Sequence, residues 1–113
     1  MKLELNGKTV ATDNEGYFLD PSQWSVEIAH QVAEHENIDL SKEHWAVIHF
    51  IREHYELNQC VPEARTVLKE LKTRLSPEQA TRKYLYTLFP YGYGQQACKI
   101  AGMRKPLKIM LDV

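Results

Sequence analysis

Cysteine is scarce in this 113-residue chain, with Cys60 and Cys98 the only two. No pair stands at Cys-x-x-Cys spacing and no His-Glu-x-x-His occurs, so there is no recognisable zinc ligand set and no metal is expected. No glycine-rich loop joins a strand to a helix; Gly92-Tyr93-Gly94 follows a helix and Pro90, the wrong context for cradling phosphate. No serine sits in a nucleophile elbow, and no cofactor is expected. No apolar run approaches a membrane span, and the first residues lack the apolar core of a secretory signal. Two free thiols without a signal suit a reducing cytosol, so the expected location is cytoplasmic, with no membrane partner.

Charge of one sign is also lacking. Lys and Arg number 14 against 15 Asp and Glu, a net charge of −1. Bulk attraction to nucleic acid or membrane is therefore not expected. The charge is uneven, however. From residue 99 onward Lys99, Arg104, Lys105 and Lys108 face only Asp112, a local +3, which leaves −4 on the rest.

What is present is helical periodicity. Asn6-Gly7 between two short alternating runs predicts a β-hairpin over residues 2–12, and residues 13–16 predict a second turn. Asp20-Pro21-Ser22 predicts the start of a helix carrying Trp24, Ile28 and Val32, ended at Asn37. Ser41 predicts the cap of a long central helix with Trp45, Ile48, Ile51 and Tyr55 as its stripe. Pro62 reads as the first residue of the next helix, lined by Val67, Leu68, Leu71 and Leu75. Ser76-Pro77-Glu78-Gln79 predicts another start, and Pro90 a stop. The last helix carries Cys98, ends at Gly102, and is followed by a basic arm over residues 103–113. Extended, that arm would reach about 35 Å at about 3.3 Å per residue. The expected fold is mostly α: one domain over residues 1–113, an orthogonal bundle of about five helices (residues 22–101) with an N-terminal β-hairpin, a helix-turn-helix-like pair and a flexible C-terminal arm.

Three constellations carry possible chemistry. His30, His35, His44, His49 and His54 lie five or more residues apart, so neighbours point about 140° apart on a helix and cannot share one metal; they read as solvated faces. The pair of helices across residues 55–75 places Arg65, Lys69 and Lys72 on a candidate nucleic-acid face, against the alternative of an ordinary helical corner with a solvated cationic side. Cys60 reads as a small buried hydrophobe in a turn. Cys98 lies off the apolar face formed by Ala97, Ile100 and Ala101, beside Lys99. Nearby cations favour thiolate, so Cys98 is the candidate nucleophile, with a structural role as the alternative.

Read in order, Glu15-Gly16-Tyr17, Gln23-Trp24, Glu43-His44-Trp45, the run 50–55, Pro62-Glu63-Ala64-Arg65, the run 84–90 (Tyr-Leu-Tyr-Thr-Leu-Phe-Pro), the run 97–102 (Ala-Cys-Lys-Ile-Ala-Gly) and Lys105-Pro106 resemble the DsrC/TusE family across nearly the whole chain. The resemblance implies a helical bundle with a mobile arm, and sulfur trafficking. TusE-like members accept persulfide sulfur from an upstream sulfur-relay complex and pass it toward the thiolase that makes 2-thiouridine in tRNA; DsrC-like members serve dissimilatory sulfite reductase. It implies that the main sulfur-carrying cysteine sits at the arm tip. Here that position is Ile109, and Cys98 matches the second, helix-borne cysteine of DsrC. The resemblance thus makes Cys98 the candidate sulfur acceptor and Arg104, Lys105, Lys108 and Ile109 a candidate partner-binding arm. The alternatives are a cysteine-depleted, partner-binding or DNA-binding regulatory paralogue, or a DsrC-type subunit associated with sulfite reductase. The apolar tail residues 107, 109, 110 and 111 fit either a docked segment or a frayed end.

Overall fold

The computed structural model describes residues 2–5 and 8–106, with the backbone alone at 2, 3, 5 and 8. Strands β1 (Lys2–Leu5) and β2 (Lys8–Ala11) pair antiparallel, Leu5 opposite Lys8 and Lys2 opposite Ala11. The Asn6-Gly7 turn lies outside the described residues. An isolated bridge joins Thr12 to Phe18. Between them Asp13 Oδ1 accepts the backbone N–H groups of Glu15 and Tyr17, which closes the expected second turn. Helices follow: α1 (Val26–His35), α2 (Lys42–Asn58), α3 (Ala64–Arg74), α4 (Arg82–Leu88), and a π-helical turn (Tyr93–Ala97) that runs into the short α5 (Cys98–Ile100). The mostly helical architecture with its N-terminal hairpin is the one expected.

Several boundaries move, each for a local reason. Asp20 caps only a 3-10 turn over Pro21–Gln23. Trp24 then becomes extended, and α1 starts afresh with Ser25 Oγ accepting from Ile28 N. Asn37 does end it, with φ 58°. Pro62 is not the first residue of α3. It is buried ahead of the helix, its carbonyl taken by the Tyr93 hydroxyl at 2.6 Å, and Glu63 stands at the N-cap. At Ser76 the capping hydrogen bond forms with Gln79 N, but it closes one turn only. Thr81 is extended and caps α4 through Tyr84 N.

The central helix is as long as expected, but its buried face is displaced. Its apolar period needs one face, and that face carries His44, Val47, Ile48 and Ile51, with Trp45 and Tyr55 only half-buried at its margins. His44 is thus a core residue rather than a solvated one. Its Nδ1 meets Ser41 as the partner in a capping box, and its Nε2 lies 2.8 Å from the Leu88 carbonyl. This seam ties α2 to the end of α4, and Phe89 packs edge-on against the imidazole. His30, His35 and His49 are exposed as expected.

The core gathers Ile28 and Ala29 of α1, Ile48 and Ile51 of α2, Val67 of α3 and Leu85 of α4 around the final helix. Burying the Ile, Val and Leu side chains among these contributes about 1.5–3 kcal/mol each. Into this core the segment 96–103 inserts almost whole, with only Lys99 reaching outward.

Candidate functional site: a buried thiol at the root of the C-terminal segment

Cys98 sits where the π-turn becomes α5. A π-turn adds a residue to the helical ring, and such turns are frequent at functional sites. Here it starts from Gly92, whose φ of 103° no ordinary L-residue favours. The turn is held by polar contacts on both sides. Gln96, buried, accepts from Tyr91 N and donates to Glu36 at 3.1 Å. The Tyr17 hydroxyl donates to the Gly94 carbonyl at 3.1 Å.

The end of α5 is a Schellman cap. Gly102 N donates to the Lys99 carbonyl and Met103 N to the Cys98 carbonyl, with Gly102 at φ 75°. Trp24 covers this cap. Its indole Nε1 donates to the Ile100 carbonyl at 2.8 Å, and the Arg52 guanidinium lies 4.5 Å over its ring. Arg52 also donates to the Pro21 and Ala101 carbonyls. Its pKa is lowered, first by desolvation, yet it keeps its charge because a guanidinium so solvated by carbonyls does not lose its proton near neutrality. Neither Arg52 nor Trp24 is expected from the sequence as part of the site; the available signal is a cation directly beside Ile51 on the long central helix.

The Cys98 thiol is 0% exposed. This corrects the expectation that it lies off the apolar face, beside a cation. Every neighbour except Lys99 is buried, so α5 has no solvent side at residue 98. Lys99 instead places its ammonium 5.1 Å over the Tyr17 ring. Burial therefore dominates and pushes the thiol up to about 12, away from thiolate. Tyr93 pulls the other way, but weakly, because its hydroxyl hydrogen is already given to the Pro62 carbonyl. Burial likewise pushes the Tyr17 phenol up to about 12. Cys60, expected to be buried, is half-exposed in the turn after α2. Both thiols are free.

The start of the arm is docked rather than loose. Phe18 N donates to the Met103 carbonyl, Arg104 Nε donates to the Leu19 carbonyl, and Lys105 Nζ lies 2.6 Å from Glu15. Met103 and Pro106 are buried. The structure thus brings Arg104 and Lys105 together with the 13–19 turn, one cap away from Cys98. Lys108 and Ile109 lie outside the described residues. Arg65, Lys69 and Lys72 form an exposed row on α3 and join none of this. Arg65 is 3.6 Å from Glu63 in its own first turn. Among the described residues no three His, Cys, Asp or Glu side chains converge as a metal site would need, and no helix is long and apolar enough to cross a membrane.

The fold and this site define a class: a small helical domain that holds a thiol-bearing helix at the root of its C-terminal segment. The chain matches the family model described as DsrC like protein over residues 4–110. It is 43% identical over 106 residues to sulfurtransferase TusE of Escherichia coli strain K12, covering 94% of this chain and 97% of that protein. It superimposes on the NMR structure of Allochromatium vinosum DsrC with TM-score 0.84 and 42% identity, over 94% of this chain and 95% of that one. On the oxidised gamma-subunit of the dissimilatory sulfite reductase (DsrC) of Archaeoglobus fulgidus the TM-score is 0.88 at 32% identity, over 95% and 97%. The chain belongs to the DsrC-like family.

Proposed function

We propose that this protein is a sulfur-relay protein of the TusE kind, taking up persulfide sulfur and passing it toward tRNA 2-thiouridine synthesis, with Cys98 as the candidate acceptor. The observation that carries this reading is the end-to-end match to sulfurtransferase TusE, 43% identical over 106 residues. In such a step the acceptor thiolate attacks the outer sulfur of a donor persulfide. The donor's S–S bond breaks, the donor cysteine leaves as thiolate, and the outer sulfur stays on Cys98 as a new persulfide. The proton lost from Cys98 goes to solvent.

Burial sets the condition for that step. A thiol held at about 12 has only about one part in 10⁵ thiolate at neutral pH. Loading therefore requires α5 to open, which means releasing the Schellman cap, the Trp24 cover and the Met103–Phe18 hydrogen bond. A partner that binds the arm root at Arg104 and Lys105 would compete with their Leu19 and Glu15 contacts and favour that opening.

The same burial, with Ile109 in place of the arm-tip cysteine, favours a second reading: a protein that binds the family's partners, a relay complex, a tRNA thiolase or a sulfite reductase, without carrying sulfur. Intact mass after incubation with a persulfide-charged sulfurtransferase separates the two. The relay reading expects a gain of one sulfur that reductant removes and Cys98→Ser abolishes. No gain, under conditions that load a family member with the terminal cysteine, refutes it.

A further inference from the structure

The cations of this chain are segregated more sharply than its net charge implies. From residue 79 to residue 111 there is no Asp or Glu, while Arg82, Lys83, Lys99, Arg104, Lys105 and Lys108 all fall in that run. Two of them open α4, and the outer face of that helix has a distinct composition. Leu85 and Leu88 point into the core, leaving Arg82, Lys83, Tyr86 and Thr87 exposed, with Pro90 and Tyr91 following. Tyr91 is 73% exposed and Tyr86 44%. Arg82 stands one helical turn before Tyr86, and a Cβ placed on Gly92, the residue after Tyr91, would come 3.9 Å from Tyr86 Cε1. Among the described residues no carboxylate pairs with Arg82 or Lys83, and no side chain takes a hydrogen bond from either phenol. On α3, Arg65 faces Glu63 and Arg74 is held by Glu53 and Glu70, and although no carboxylate among the described residues pairs with the exposed Lys69 and Lys72, no exposed aromatic ring lies on that helix beside them.

We propose that this α4 face, Arg82, Lys83, Tyr86 and Tyr91, is a binding surface for single-stranded RNA. Cations that no carboxylate neutralises attract phosphates, and solvent-facing tyrosine rings supply flat platforms on which bases stack, whatever their sequence. Tyrosine and arginine also anchor protein interfaces, but two adjacent cations in a run from 79 to 111 that holds no Asp or Glu favour a polyanion. The surface also explains how a chain of net charge −1 can meet a polyanion: the attraction is local, and the acidic residues lie in the first 78 positions apart from Asp112.

The test is fluorescence anisotropy of a short labelled single-stranded RNA and of its duplex, with the full chain, over a salt series. Saturable binding that prefers the single strand is expected. Arg82→Glu combined with Lys83→Glu should lower the slope of log affinity against log salt by about 1.4, at about 0.7 per phosphate contact. Tyr86→Ala and Tyr91→Ala should each weaken binding by about five- to 150-fold, while the Phe replacements, which keep the ring, should retain it. Unchanged circular dichroism melts show that the variants fold. No binding at low salt, equal affinity for the duplex, or indifference to the tyrosines overturns the proposal. So does a result in which RNA is not bound but the charge-reversed variant loses a purified relay partner, because the face then belongs to that protein. Sulfur loading of Cys98 is measured without RNA, so this surface and the relay reading stand or fall separately.

Discussion

Gly102 is the position where a single methyl group should do most damage. Two costs add. At φ 75° an L-residue is in the left-handed region, at about 1–2 kcal/mol. A Cβ there would stand 2.4 Å from Trp24 Cδ1 and 2.8 Å from its Cβ and Cγ. The ring cannot turn aside freely, because it is pinned by the Ile100 carbonyl on one edge and Arg52 on its face. Forced overpacking costs about 1–3 kcal/mol. Gly102→Ala should therefore lose about 2–5 kcal/mol, which for a domain near this size lowers Tm by about 10–30 °C. Gly16→Ala is the control. Its φ of 95° carries backbone strain, but its nearest contact would be the flexible Lys99 chain at 3.9 Å. Urea titration of the three proteins measures both costs. Equal losses at the two glycines, or a Gly102→Ala protein as stable as the parent, would refute the argument that Trp24 is clamped over the cap.

Two further outcomes follow from buried groups. Cys98 rises from its usual 9.0 to about 12 on folding. The folded protein therefore binds the proton more tightly, and stability present below pH 9 should fall between pH 9 and 12, at up to about 1.4 kcal/mol per unit. Tyr17 acts in the same direction from 10.0. Alkaline urea titrations should show a shallower decline in Cys98→Ala, and the same slope in both proteins would show that the thiol ionises freely. Replacing His44 by Leu should cost about 1–3 kcal/mol, because the Leu88 carbonyl is left unpartnered and the Ser41 capping box opens; a neutral effect on Tm would place that carbonyl in water.

The legible part of the fold was what depends on chain-local chemistry. Ser41 capped α2, Asn37 and Gly102 took positive φ, and Leu85 with Leu88 turned inward, because caps, left-handed turns and helical period act over a few residues. Two of the failures share one cause. Pro62 and Pro21 carry helix-start chemistry, yet the carbonyl of each is taken by a distant side chain, Pro62 by Tyr93 and Pro21 by Arg52, whereas the Ser76 cap closes one turn before Thr81 starts α4. Local propensity is a weak prior when a distant partner offers a hydrogen bond.

The candidate site divides the same way. The sequence by itself determined that Cys98 lies on a short helix stopped by Gly102, that a basic segment follows, and which family the motifs resemble, because residue order and spacing carry that information. It also held the acid-free run from 79 to 111. Only the tertiary structure decided that Lys99 reaches Tyr17 instead of the thiol, that Trp24 and Arg52 close over the cap, and that Arg104 and Lys105 rest on the 13–19 turn. The reason is physical. A thiol's acidity is set by the water and charge around it, and those are supplied by residues up to about 80 positions away in the chain, brought in by packing rather than by sequence neighbourhood.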